Sequence, residues 1–353
     1  MPHSDAPPQH ATESALRFAM QARLNADRDT MTMWLTEAAT LGDADAGALC
    51  GHVAAMEGAV DEARRHYSHA IANGSTDSWH GQALLSVMTG DHAEALAYAR
   101  EGAHHGDAAS AVIAAALTVH TAETAATWLA RAQELGDAYP EHAMETLLVD
   151  YPIPLPEQAT NSWLDDHARN NCAIALRLLG RQRLLQGDMS AEAALEYAAS
   201  EGNVGASLDL AYAALANQDD RNLRLWAERA AATGHSEGQH LLAYWHLHSE
   251  HGDPAVGGLW LATASERGLP AAQLTYADYC TEAGEPQAAK QLYFEAAYST
   301  CGSTEALQRS GDLCAAEQNF EEALTWWNRA EARQKAYPHD AHTTIFTPFA
   351  GRP

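Results

Sequence analysis

Lysine is almost absent from this 353-residue sequence, which has only Lys290 and Lys335. Lys and Arg together number 21 against 47 Asp and Glu, a formal net charge of −26. Such a field repels phosphate backbones and anionic membrane surfaces, so nucleic-acid and membrane binding are not expected. Cysteine is scarce too: Cys50, Cys172, Cys280, Cys301 and Cys314 are odd in number and never form a CxxC. No disulfide framework is indicated, and a reducing compartment fits better. The first residues, MPHSDAPPQH, lack the basic and apolar regions of a signal peptide, and no apolar run has membrane-spanning length. A cytoplasmic protein is expected. No Gly-rich phosphate loop, nucleophile elbow or HExxH occurs, so neither a cofactor nor an enzyme is expected.

What is plentiful is alanine. Apolar residues make up 46% of the chain, which argues against wholesale disorder. Alanine favours helix and lets helices approach closely, whereas Ile, Val and Phe, which would favour strands, are few. The length exceeds what one compact core usually serves, leaving several domains or a repeat array. The Lys-poor, Arg-, Ala-, Gly- and His-rich bias resembles a high-GC bacterial coding sequence.

Four segments settle that choice: MWLTEAATLGD (33–43), TWLARAQELGD (127–137), LWAERAAATGH (225–235) and LWLATASERGL (259–269). In each, a Trp precedes an Ala by four residues and a Gly by eight: Trp34, Ala38 and Gly42; Trp128, Ala132 and Gly136; Trp226, Ala230 and Gly234; Trp260, Ala264 and Gly268. Residues four apart share a helix face, so ring and small residue meet the same neighbour. The glycine suits the left-handed turn ending a helix, and the following polar residue can cap the next. Trp34, Tyr67, Tyr98, Trp128, Trp163, Tyr197, Trp226, Trp260, Tyr293 and Trp327 recur every 29 to 35 residues. That period holds two short helices and two turns. Gly51, Ala277 and Gly311 occupy equivalent small positions in the helices preceding the aromatic ones.

The openings GDADAGALCG and GLPAAQLTYADY, joined to these A-x-x-W-x-x-x-A-A-x-x-G endings, resemble Sel1-like repeats, a subclass of tetratricopeptide repeats. Ala63-Tyr67-Ala70, Ala289-Tyr293-Ala296 and Ala323-Trp327-Ala330 also match the tetratricopeptide pattern of Ala, aromatic and Ala. The resemblance covers roughly residues 12–335, breaks around 138–170, and lacks the longer Sel1 turn insert. It implies an all-α fold, a right-handed α-α superhelix of helical hairpins. It also implies that the first helix of each hairpin lines a concave, partner-binding face, and it implies no catalytic residues.

The chain divides into an N-terminus expected to be disordered (1–11), a first sub-array (12–137), an irregular proline-rich connection with a degenerate repeat (138–163), a second sub-array (164–335) and an extended C-terminal tail (336–353). Pro140, Pro152, Pro154 and Pro156 stop helices in the connection. Ile345, Phe346 and Phe349 in the tail are expected to cover the last hairpin or enter a groove.

Hairpin equivalence places His52, Tyr212, Asp278 and Asp312 one position after the small residue of a first helix, as candidates for the partner-binding face. Tyr212 would supply an aromatic anchor, and the carboxylates would select basic side chains. His240, His248 and His251 share a helical face by spacing and are weak metal candidates, since no carboxylate or cysteine completes a familiar ligand set. Asp165 and Asp166 read as a solvated helix start, and Cys50, Cys280 and Cys314 as small packing residues. The leading expectation is a scaffold or adaptor binding a peptide or protein partner, with a basic one favoured; the oligomeric state is open. The alternatives are a peptide- or ligand-responsive sensor acting through a partner, and an enzyme on an α-helical toroid.

Overall fold

The computed structural model describes residues 9–119, 122–137, 172–185, 191–299 and 303–337, with the single positions Pro140, Ala143, Met144, Leu147, Leu148, Ile153, Ala168 and Arg169. Trp163, the Asp165–Asp166 pair, most of the proline-rich connection, residues 1–8 and the tail from 338 onward lie outside the described residues. Among the described residues there is no strand. The fold is all-α, and consecutive helices pair as hairpins.

Two compact units divide the chain, residues 1–154 with 307–341, and residues 155–306 with 342–353. The first holds α1 (Gln9–Leu24), α2 (Arg28–Thr40), α3 (Ala44–Met56), α4 (Val60–Ala72), α5 (Ser78–Met88), α6 (His92–His104), α7 (Ala108–Leu117) and α8 (Ala122–Glu134). The second holds α9 (Ala173–Leu185), α10 (Glu192–Ser200), α11 (Val204–Ala216), α12 (Asp220–Ala232), α13 (Ser236–His248), α14 (Pro254–Glu266), α15 (Pro270–Glu282) and α16 (Pro286–Ala297). The unit boundary falls in the first turn of α17 (Thr304–Ala316), and α18 (Phe320–Ala336) belongs to the first unit.

A 16-residue rhythm sets the helix lengths. Gly42, Gly58, Gly74, Gly90 and Gly106 all have positive φ, and Ala26 takes the same conformation one step earlier. At Gly42 the chain turns left-handed, and the Gly42 and Asp43 amides donate back to the Ala39 and Ala38 carbonyls at 3.0 and 3.1 Å. The Asp43 carboxylate then accepts from the Ala46 amide at 2.7 Å and caps α3. Asp91, Asp107, Asn203, Asp219, Asp253 and Asn319 cap their helices in the same way. Pro254, Pro270 and Pro286 open three helices at the position where a missing N–H costs nothing.

Side-chain size then sets the helix spacing. The buried Tyr67 ring of α4 lies between two first helices: a Cβ on Gly51 of α3 would stand 2.7 Å from Cδ1, and one on Gly81 of α5 would stand 2.6 Å from Cε1. Gly311 of α17 meets the Trp327 ring equally closely, at 2.5 Å. In the second unit Trp226 is buried among Leu223, Ala230, Leu241, Leu242 and Trp245. The Arg229 guanidinium covers its ring at 4.7 Å. Not every repeat aromatic is fully buried: Trp34, Tyr98, Trp128 and Trp260 are half-buried, and Tyr197 and Trp327 are exposed. The cysteines Cys50, Cys280 and Cys314 are buried.

The last helix docks on the beginning of the chain. Arg28 holds both Glu57 carboxylate oxygens through one guanidinium edge, Nε and Nη2, at 2.7 and 2.5 Å, and Arg329 of α18 lies 3.6 Å from the same carboxylate. Arg329 also binds Asp29 at 2.8 Å. One turn on, the fully buried Arg333 donates to the Met56 carbonyl at 2.8 Å, and the Tyr337 hydroxyl donates to the Ala55 carbonyl at 2.9 Å. These carbonyls close the C-terminal turn of α3, where a cation complements the helix dipole. Gly58 makes room, since a Cβ there would stand 2.6 Å from the backbone of Ala332 and Arg333.

Replacing Trp226 by Ala removes a buried ring from a core that cannot fully collapse. The expected cost is about 3–5 kcal/mol. Urea unfolding should show a clearly lowered midpoint, and an unchanged one would remove Trp226 from the core.

Candidate partner-binding face of the first helices

In the second unit α9, α11, α13 and α15 are the first helices of successive hairpins, and polar side chains bridge them. Arg177, the fifth residue of α9, donates to Asp209, the sixth residue of α11, at 2.8 Å. Arg181, one turn further along α9, takes the other carboxylate oxygen at 2.6 Å. Asp209 is only 2% exposed, and any side chain at Gly205 would overlap the Arg177 guanidinium. The same fifth-to-sixth pairing recurs between α13 and α15, where His240 Nε2 lies 3.1 Å from the Thr275 hydroxyl. Between α11 and α13 the Tyr212 hydroxyl donates to Glu237 at 2.5 Å. Burial first, and then the Glu237 charge, push that phenol far above its ordinary range. Burial alone holds the His240 imidazole down to about 4.

In the first unit the corresponding bridge is His80 on α5 to Asp107, at 3.2 Å. Asp107 caps α7, accepting from the Ala109 and Ser110 amides and from the Ser110 hydroxyl. Burial would raise the Asp107 carboxyl, but the hydrogen bonds from His80, Ser110 and Ala109 outweigh it and leave the carboxyl below its ordinary value.

The four candidates from hairpin equivalence are not brought together. His52 and Asp312 lie in the first unit, Tyr212 and Asp278 in the second. His52 is half-buried on α3. Tyr212 is 4% exposed, so its ring is a core element and not an open anchor. Asp278, half-buried, accepts the Tyr293 hydroxyl of its own hairpin at 2.5 Å. Asp312 is exposed and accepts the Trp327 indole N–H at 3.1 Å. Both carboxylates therefore fix the aromatic ring of the following helix.

The histidine trio disperses as well. Helix α13 ends at His248, and Ser249 is extended with ψ 142°, so the helical spacing that would align His251 is broken. His240 points into the core while His248 and His251 are exposed. Among the described residues no group of three or more His, Cys, Asp or Glu side chains is placed to hold a metal ion.

What the first helices do present is aromatic. Tyr244 of α13 is 37% exposed and rests on the His248 ring, with centroids 4.3 Å apart. Tyr279 of α15 is 61% exposed and stacks beside Tyr276 at 6.5 Å. Tyr244 occupies the ninth place of its helix, as Asp278 and Tyr212 do in theirs, so the repeat alignment contained the signal for it. Tyr279 aligns with the buried Trp245, and no repeat position distinguishes the two.

No known family's sequence profile matches this chain, and no curated protein does. The chain is similar in structure to Sel1 repeat proteins. One from Oxalobacter formigenes aligns over 80% of this chain and 90% of its own, at 19% identity and a TM-score of 0.44. The protective antigen c5321 of uropathogenic Escherichia coli strains, which displays an SLR fold, aligns over 96% of this chain and 78% of its own, at 17% identity and a TM-score of 0.36.

Two outcomes test the bridging side chains. Asp209→Ala leaves Arg177 buried without its carboxylate and should cost about 3–5 kcal/mol by urea unfolding; a near-neutral result would mean that the bridge is not buried. His240 has a folded-state pKa of about 4 against an ordinary 6.5, so its neutral form is favoured by folding. Stability from this group is complete above 6.5 and falls as pH drops from 6.5 to about 4, by roughly 3 kcal/mol at 1.36 kcal/mol per unit. His240→Gln should flatten the wild-type profile in that window, and parallel wild-type and variant profiles would contradict the assignment.

Proposed function

We infer that this protein is an interaction scaffold that holds a polypeptide partner against the first helices of its second unit, and that the partner carries basic residues. The observation that carries this reading is Tyr279. A tyrosine 61% exposed on a helix whose other face holds the buried Ala272, Gln273, Ala277 and Cys280 keeps a large aromatic surface in water. Tyr244 does the same on the preceding first helix, which α15 meets through the His240–Thr275 contact. Tyrosines of this kind give large contact area for little lost side-chain freedom, and they are common anchors at protein interfaces.

Charge supports the choice of partner. The chain carries −26 overall, and the exposed Glu282 and half-buried Asp278 flank Tyr279 on α15. A basic segment would be drawn in by this field and would find aromatic faces for its guanidinium or ammonium groups. The bridged helices supply a face that is ordered before the partner arrives, which lowers the cost of binding. Among the described residues no helix is long and apolar enough to cross a membrane. A cytoplasmic setting belongs to the same reading.

The test begins with affinity capture on the immobilised full chain, followed by titration of the captured partner against Tyr244→Ala and Tyr279→Ala. Each substitution should weaken binding about tenfold or more, in line with an anchor residue worth over 1.4 kcal/mol. Binding should also weaken as salt rises. A partner whose affinity ignores both tyrosines and salt would place recognition elsewhere on the molecule.

A further inference from the structure

The first unit is discontinuous, and its two parts meet through a slot and a key. The slot consists of Asp29, the Glu57 carboxylate already gripped by Arg28, the Ala55 and Met56 carbonyls, and the bare backbone of Gly58. The key is Arg329 and Arg333, one turn apart on a single face of α18, with Tyr337 immediately after the helix end. The polar contacts made by Arg329, Arg333 and Tyr337 are directional. Arg329 takes two carboxylates, and Arg333 and Tyr337 take successive carbonyls of one helix end. Arg333 also lies over the Tyr337 ring at 5.4 Å and is wholly buried. A hydrophobic face would accept many helices, but this one is selective for a basic-basic-aromatic set.

The order of synthesis gives the slot a period of vacancy. Met56 and Arg333 are separated by 277 residues. A chain elongating from its N-terminus completes α2, α3 and α4 long before α18 exists. During that interval Arg28 can hold the Glu57 carboxylate, but the Arg329, Arg333 and Tyr337 groups that later cover the slot are not yet made. Any finished copy nearby carries the matching key. The contacts formed in trans are the same as those formed in cis, which is the condition for exchange of an element between identical chains.

We propose that the slot on α2 and α3 is also an interaction surface for a second copy of this chain, which inserts its own C-terminal hairpin, α17 and α18, to form an exchanged dimer. The hairpin moves as one piece, because Trp327 is held to α17 through Gly311 and Asp312. At low concentration the key of the same chain wins through its high effective concentration. Crowded synthesis or refolding favours exchange.

Two full-length variants separate slot from key. Gly58→Val blocks the slot, since its side chain would meet the α18 backbone, while leaving the key intact. Arg333→Glu sets an anion against the α3 carbonyls and spoils the key, while leaving the slot intact. Each variant alone should be monomeric by native mass spectrometry, with helical content verified by circular dichroism. An equimolar mixture should give the one-to-one heterodimer, joined by the one intact slot and the one intact key. In parallel, isotopically light and heavy wild-type chains refolded together should give mixed-mass dimers. Their ratio to monomer should rise about tenfold per tenfold increase in concentration, by mass action. Wild-type chains that stay monomeric at every concentration overturn the proposal. Wild-type dimers without a variant heterodimer overturn it as well, because the dimer would then use another surface.

Discussion

The Tyr67 ring stands between Gly51 and Gly81, and the spacing of the neighbouring first helices follows from that contact. An aromatic side chain on the second helix of a hairpin can be buried on both sides only if each flanking first helix offers a position without a side chain in the way. Gly311 gives the Trp327 ring the same close approach on one side, although that ring stays 38% exposed. Close approach makes the hairpins stack in one register, since a shift of one residue would bring a Cβ into the ring. The glycine turns every 16 residues keep helices the right length for the next ring to arrive in place.

Close first helices have a second consequence. Side chains of ordinary length can reach from one to the next, so Arg177 meets Asp209 and His240 meets Thr275 through the same pair of helical positions. Those bridges commit Arg177, Arg181, Asp209, His240 and Thr275 to the protein itself. Asp278 and Asp312 are committed too, each to the polar edge of an aromatic ring. Tyr244 and Tyr279, by contrast, stay exposed on these helices.

Much of the architecture was legible in the sequence because it is repeated. The Trp–Ala–Gly spacing gave the helix ends, and the equivalence of Gly51 and Gly311 located two of the close contacts seen in space. The site was harder to read. Tyr212 and Tyr244 occupy the same helical place, yet one is core and the other surface, because the following first helix brings Glu237 over Tyr212. Repeat position fixes direction but not what the neighbour supplies. The histidine trio failed for a local reason: the extended Ser249 ends the helix whose periodicity would have aligned it. The joint between α18 and α3 lay out of reach, since nothing local marks Arg329 and Arg333 as anything but a solvated helix face. Only the fold brings them to Glu57 and Met56.

The aromatic rings divide into those buried between helices and those left exposed. Hydroxyl-radical footprinting of the free chain, read tyrosine by tyrosine by mass spectrometry, tests this division most directly. The account predicts fast oxidation at Tyr244 and Tyr279 and strong protection at Tyr67, Tyr212, Tyr293 and Tyr337. Comparable reactivity in the two groups would contradict it.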